Sequence, residues 1–202
     1  MSSNTYIDLI NPQLINQIQQ GDIGILLTDT SYGLCCLATN KISVERIQKL
    51  RGGPKNKPGI ILIDSLDKAL ELGAVLFGDQ RKILDSIYPA NFSVLVKHAH
   101  NDKYKHLYEG SKYLSFRIPT LPELRKLIRN VGPIFAPLAC PIDLSPASTV
   151  SQSRQYFSDQ LDFYVDKGEL VSLPSTMAIM NNDKFQVIRQ GSYFIPKSLL
   201  GR

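Results

Sequence analysis

Short apolar runs alternate along the chain with segments whose apolar residues recur at helical spacing. The runs at 23–27, 59–63 and 92–96 have the length and the β-branched content that are typical of buried strands. Between the first two, residues 43–51 place an apolar side chain at every third position, with a serine at the start that could cap a helix. This alternation predicts an α/β protein in which strands and helices follow one another.

The rest of the chain continues the same pattern and shows no repeat, low-complexity tract or linker. Helices are predicted over 66–72, 79–87, about 122–130 and 149–157. Thr120 stands before the third of these helices as a candidate cap. Strands or short apolar runs are predicted over 114–118, 134–138, 163–165, 176–180 and 185–188, with a hairpin turn at 181–183. We therefore expect residues 1–202 to form a single domain.

Composition narrows the class of protein. A chain of 202 residues with 43% hydrophobic side chains can bury a sizeable core without disulfides. The N-terminus lacks a signal-peptide pattern, and no apolar stretch is long enough to span a bilayer, so we expect a cytoplasmic protein without a membrane segment. The net charge of +5 is compatible with a nucleotide or RNA partner, although the cations are scattered.

Cysteine and histidine offer no obvious metal site. Cys35, Cys36 and Cys140 lack a paired metal spacing and are expected to be reduced, partly buried thiols. The three histidines, at 98, 100 and 106, lie in one polar stretch and are expected at the surface.

Four polar groups could carry chemistry. The loop 28–34 (TDTSYGL) follows a predicted strand and could hold a polar ligand, or it could be an ordinary turn. The loop 51–58 (RGGPKNKP) combines three cations with two glycines, which suits phosphate but also suits a solvated surface loop. Arg117 lies inside a predicted strand, where it must meet an acid, water or a ligand. The fourth group, Ser175 and Thr176 together with Arg189, is unremarkable when taken alone.

In order, these pieces resemble the YrdC-like family, over about residues 8–195. The matching tracts are TDTSYGL at 28–34, the basic loop ending in Lys57-Pro58, YPANFSVL at 88–95, FRIP at 116–119, Gly132-Pro133, PST at 174–176 and IRQG at 188–191. The resemblance implies a twisted mixed sheet flanked by helices around a basic concave cavity. It also implies an L-threonylcarbamoyladenylate synthase, a nucleotidyltransferase that joins L-threonine, bicarbonate and ATP for the t6A modification of tRNA and releases pyrophosphate.

The resemblance further implies the roles of individual residues. Thr30, Tyr32 and Lys57 would bind threonine. The nucleotide and its phosphates would be bound by Arg51, Lys55, Arg117, Ser175, Thr176 and Arg189. Mg²⁺ would accompany ATP without a side-chain ligand. The t6A transferase machinery and weakly bound tRNA or double-stranded RNA are the implied partners.

The sequence also departs from the family pattern. Gly53 stands where an arginine is typical, Leu121 where a histidine is common, and APLAC at 136–140 where the family has a Ser-Thr-Ser-Ala-Asn stretch. Hydroxyls and an amide that could bind phosphate are thereby replaced by groups that cannot. The alternative hypothesis is a catalytically degenerate protein that binds nucleotide or RNA without turnover.

Overall fold

The computed structural model describes residues 3–52, 59–170 and 172–201. These residues form ten strands and six α-helices. The strands are β1 Asn4–Tyr6, β2 Gly24–Leu27, β3 Tyr32–Leu37, β4 Ile61–Leu62, β5 Phe92–Lys97, β6 Tyr113–Arg117, β7 Ile134–Phe135, β8 Phe163–Val165, β9 Thr176–Asn181 and β10 Lys184–Arg189. The helices are α1 Pro12–Gln20, α2 Lys41–Arg51, α3 Leu66–Glu71, α4 Gln80–Ile87, α5 Pro122–Val131 and α6 Val150–Phe157. Single 3₁₀ turns occur at Lys105–Leu107, Ser158–Gln160 and Lys197–Leu199.

All ten strands join one mixed sheet in the order β1-β8-β2-β3-β7-β4-β6-β5-β9-β10. Parallel pairs such as β4 with β6 and β5 with β9 alternate with antiparallel pairs such as β5 with β6 and β9 with β10. The predicted α/β fold with a mixed sheet and flanking helices is confirmed.

Both faces of the sheet are covered, because successive strand residues enter different cores. In β2, Ile25 belongs to the larger core, whereas Leu26 packs in the smaller core beneath α1 and α5. In β4, Ile61 and Leu62 divide in the same way. The side-chain alternation of a strand explains this division, and burial on both faces explains why these strands read as continuous apolar runs.

Three elements were not predicted from the sequence: β1, α1 and β3. Helix α1 begins at a conventional signal, since Asn11 Oδ1 accepts hydrogen bonds from the backbone of Gln13 and Leu14, and Pro12 occupies the first turn. Strand β3 follows directly on the 28–31 turn, so the predicted loop is correct only for its first half.

One helix start and one helix cap differ from the prediction. Helix α2 begins at Lys41 and is capped by Asn40, while the Ser43 hydroxyl donates instead to the carbonyl oxygen of Gly21. Helix α5 has Leu121 rather than Thr120 at its cap position. Within the described ranges, no helix combines the length and the hydropathy required to cross a membrane.

The cysteines are buried and free, as predicted. Burial raises the pKa of the Cys35 and Cys36 thiols well above the ordinary cysteine value. The prediction that every histidine lies at the surface is wrong for His106. Its side chain is buried, and Nε2 lies 2.9 Å from the carbonyl oxygen of Ala38.

Candidate functional site

A cavity lies over strands β5, β6 and β9 and is also lined by residues from the 136–142 segment. It has a narrow polar end and a wider apolar chamber with a volume of about 420 Å³. The polar end is lined by the polar side chains of Thr28, Thr30, Ser31, Arg117, Ser175 and Arg189. The chamber is walled mainly by Ile60, Leu95, Pro137, Leu138, Ile142, Met177 and Ile188. Ile60, Leu138 and Arg189 border both parts, so the two parts lie side by side.

Arg117 anchors the polar end from the last position of β6. Its guanidinium donates a 2.7 Å hydrogen bond from Nη1 to Thr30 Oγ1, and Nη2 lies 3.0 Å from Asp29 Oδ1. Burial lowers the pKa of Arg117, and the negative charge of Asp29 counters that shift. The sequence argument that a strand arginine needs an acid or a ligand is thus answered by an acid.

Asp29 is a site-supporting residue that the sequence analysis did not single out. Its Oδ2 atom accepts hydrogen bonds from the backbone N–H of Thr120 at 2.7 Å and from Thr120 Oγ1 at 2.8 Å. The Thr120 hydroxyl, which was predicted to cap α5, therefore hydrogen-bonds the site loop instead. The signal available in the sequence was an acid within the 28–34 loop and an arginine that required a partner.

Arg189 reaches the polar end from β10. A register shift between Val187 and Arg189 adds a residue to this strand, and such bulges re-aim the side chains that follow. Arg189 Nε and Nη2 donate to the carbonyl oxygen of Ser175 at 3.2 and 3.0 Å, and Nη2 lies 3.3 Å from Ser175 Oγ. Burial lowers the pKa of Arg189.

Ser175 is held between two strands. Its Oγ lies 3.0 Å from Ser93 Oγ of β5, and its side chain is almost fully buried at the floor of the polar end. Ser175, Arg189, Thr30 and Arg117, all predicted from the family resemblance, are therefore brought together around one opening.

Two predicted site residues lie elsewhere. The Tyr32 hydroxyl is buried against the 166–168 segment, where it donates to the carbonyl oxygen of Gly168 at 2.6 Å and accepts from the backbone of Lys167. Thr176 points to the opposite face of β9 from Ser175, and its hydroxyl accepts from the backbone of Gly191 at 2.9 Å. These contacts assign both hydroxyls a structural task and give no support to direct ligand contact.

The basic loop is described only in part. Arg51 lines the chamber, and its Nε donates to the carbonyl oxygen of Cys140 at 3.4 Å. Burial lowers the pKa of Arg51, and Cys140 counters that shift. Lys55 and Lys57, together with Gly53, fall outside the described residues, so their predicted roles stay predictions.

The segment 136–140 forms one wall of the cavity, and three of its backbone N–H groups are already hydrogen-bonded. The N–H groups of Ala136, Ala139 and Cys140 donate to the carbonyl oxygens of Ile60, Tyr32 and Leu138 respectively. Hydroxyl side chains are absent from this segment as well. These three amides are therefore already engaged, and the segment offers phosphate at most the N–H of Leu138.

The lining has a clear charge bias. Three arginines border the two parts of the cavity, and no carboxylate does among the described residues. Within the same ranges, neither Arg51 nor Arg189 has an acidic partner within 4.0 Å. No cluster of three or more His, Cys, Asp or Glu side chains that could hold a metal ion occurs in the described part of the chain either. The cavity is suited to an anion that has an apolar portion.

Comparison with known proteins identifies the family that shares this architecture. A family model for Sua5, YciO and YrdC proteins, described as telomere recombination, matches residues 16–191. The chain belongs to this family. Within the Sua5/YciO/YrdC family, it is 26% identical over 204 residues to YciO of Escherichia coli strain K12, a protein described as uncharacterized, covering 95% of this chain and 96% of YciO. It is 24% identical over 156 residues to the threonylcarbamoyl-AMP synthase of Pseudoalteromonas translucida, covering 76% of this chain and 83% of that protein.

Solved structures share the family fold. E. coli YciO superposes with a TM-score of 0.83 at 22% identity, covering 99% of this chain and 100% of YciO. The structure of P. abyssi Sua5 complexed with L-threonine superposes with a TM-score of 0.80 at 22% identity and 95% coverage of this chain. The chain spans 58% of that Sua5 chain.

Proposed function

We propose that this protein is an L-threonylcarbamoyladenylate synthase, which converts L-threonine, bicarbonate and ATP to threonylcarbamoyl-AMP and pyrophosphate. The observation that carries the proposal is the convergence of Thr30, Arg117, Ser175 and Arg189 at the mouth of an apolar chamber. The fold is shared with a Sua5 whose structure holds L-threonine, and some relatives are named for this activity. Both facts support the proposal.

The charges fit the demands of this reaction. A carbamate formed from threonine and bicarbonate would attack the α-phosphate of ATP, so several negative charges must be held close together. Arg189 supplies positive charge without an acidic partner among the described residues, whereas the charge of Arg117 is shared with Asp29. Each charge-assisted hydrogen bond to an anion is worth about 1.5–3 kcal/mol. Neither arginine needs to move for this, because the contacts with Thr30 and Ser175 already orient them.

The chamber is of suitable size and polarity for the rest of the nucleotide. A volume of about 420 Å³ falls within the range of roughly 300–1,000 Å³ that is usual for small-molecule sites. The described lining offers no carboxylate ligand for Mg²⁺, so any Mg²⁺ would have to arrive already bound to the ATP phosphates.

A second candidate function is nucleotide binding without turnover. The apolar 136–140 segment, three of whose amides are already hydrogen-bonded, favours it because the hydroxyls and amide side chain of the family pattern are missing there. Whether Lys55 and Lys57 replace that contact decides between the two functions.

The experiment supplies purified protein with Mg-ATP, L-threonine and radiolabelled bicarbonate, and separates nucleotides by chromatography. A labelled adenylate peak that requires threonine and is lost in Arg189→Met supports the synthase. Arg129→Met is the matched control, because it removes the same charge from an exposed position on α5. A folded protein that binds ATP yet makes no labelled adenylate would instead be the degenerate binder.

A further inference from the structure

Ser115 carries a buried hydroxyl without a partner. Its side chain is 1% exposed, it lines the apolar chamber, and Oγ has no hydrogen-bond partner. Buried hydroxyls in proteins are normally hydrogen-bonded, and an unsatisfied one costs stability. A buried group that is costly in the free protein, on a residue that lines a cavity, is a candidate for contact with whatever fills that cavity.

The position of Ser115 on the sheet fixes what it can reach. On β6, Tyr113, Ser115 and Arg117 point to the same face because strand side chains alternate. Ser115 is therefore about 6–7 Å along the strand from Arg117. Its registered neighbour on β5 is Leu95, which also lines the chamber. The hydroxyl stands in an apolar floor, one step away from the anion-binding end.

This arrangement has a definite complement. A ligand that fits both parts has an anionic group at Arg117 and Arg189, and a flat apolar group with a polar edge a short distance away. An aliphatic group would leave the Ser115 hydroxyl unsatisfied, whereas a nucleobase has apolar faces and hydrogen-bonding edge atoms. A base linked through a ribose to phosphate combines these groups.

We infer that Ser115 is a specificity-determining residue that hydrogen-bonds an edge atom of the nucleobase in the chamber. This inference rests on the nucleotide part of the proposed function. It predicts an unusual sign, since removal of the hydroxyl weakens ligand binding and leaves the free protein as stable as before or more stable.

The test measures binding of AMP and of ribose 5-phosphate by calorimetry to wild type and Ser115→Ala. Ribose 5-phosphate keeps the anion and lacks the base. We expect AMP affinity to fall about tenfold, as loss of a single hydrogen bond implies. Ribose 5-phosphate affinity should be unchanged, and the ligand-free melting temperature should be equal to or above that of wild type.

The matched control is Ser43→Ala on α2. Ser43 is also buried, but its Oγ donates to the carbonyl oxygen of Gly21 beyond its own helix. This variant should lose stability and keep AMP affinity. The two serines therefore should show opposite patterns.

Three results overturn the inference: equal AMP affinity in wild type and Ser115→Ala, an equal loss for ribose 5-phosphate, or no preference of wild type for AMP over ribose 5-phosphate. The proposed function is judged separately, by formation of the labelled adenylate. A base-dependent loss in a protein that makes no adenylate would keep the role of Ser115 and remove the synthase.

Discussion

Arg117 Nη2 and Asp29 Oδ1 lie 3.0 Å apart in an ion pair whose side chains are only 3% and 6% exposed. Arg117 also holds Thr30, and Asp29 also holds Thr120, so the pair links the site loop to the strand and to the start of α5. Asp29 is a positioning residue in this arrangement, since it sets the guanidinium that faces the cavity.

Replacing Asp29 should cost much of the protein's stability. Asp29→Asn leaves the Arg117 charge buried without its counter-charge, and breaking one side of a buried pair typically costs about 3–5 kcal/mol. Urea unfolding followed by circular dichroism measures the loss. Asp79→Asn, which removes the acid of an exposed pair with Lys82, should leave stability unchanged. Equal effects of the two substitutions would show that the buried pair contributes no more to the free energy of unfolding than the exposed pair does.

Arg189 should matter for ligand affinity more than for stability. In Arg189→Ala the cavity loses a cation that has no acidic partner among the described residues. ATP affinity should fall by about 1.5–3 kcal/mol, which corresponds to roughly ten- to more than hundredfold. Calorimetric titration with ATP measures it, with Arg129→Ala as the control for net charge. An ATP affinity that falls equally in both variants would indicate general electrostatics and not a contact.

Gly191 should be intolerant of any side chain. A Cβ atom at this position would lie 2.0 Å from the carbonyl oxygen of Pro174 and 2.6 Å from the backbone of Thr176. Gly191→Ala must therefore push the turn away from β9 and disturb Ser175, at a cost of about 1–3 kcal/mol or more. Thermal unfolding measures this, and Gly201→Ala, whose Cβ would meet only ordinary contacts at 3.6 Å, is the control. The idea fails if both alanine variants melt at the same temperature.

The thiols should be unreactive in the folded protein. Cys35, Cys36 and Cys140 are all buried, and burial raises the pKa of each, so little thiolate is present near neutral pH. Titration with a chromogenic disulfide reagent should be slow in buffer, and three thiols should react in denaturant. Rapid reaction of even one thiol in the native state would contradict the packing of β3 or of the 136–140 segment.

Much of the fold was predictable because strand and helix patterns are local. The strands β5, β8 and β9 and the helices α4 and α6 lie within a residue or two of the predicted ranges. The strand β3 was missed because its sequence, YGLCCL, begins with the aromatic and glycine residues of a turn and is buried on both faces, so it shows no alternation. Helix α1 was missed although its Asn-Pro start is a recognisable signal.

The cationic residues of the site could be predicted from the sequence, whereas the residues that position them could not. Arg117 could be singled out because a charge within a strand requires an explanation, whereas Arg189 was indicated only by the family resemblance. The structure brings both to one cavity. Tyr32 and Thr176 were placed in the site by motif alone, and in the structure their hydroxyls are hydrogen-bonded to Gly168 and Gly191. The contact between Asp29 and Thr120, and the unpaired hydroxyl of Ser115, depend on distant residues that only folding brings together.

The measurement that tests the proposed synthase most directly is the rate of pyrophosphate release from Mg-ATP with threonine and bicarbonate, each supplied alone and together. The reaction requires both, so release should be fast only when both are present and should fall to background in Arg189→Met. Release that is absent with both substrates, or that proceeds equally well without threonine, would contradict the synthase.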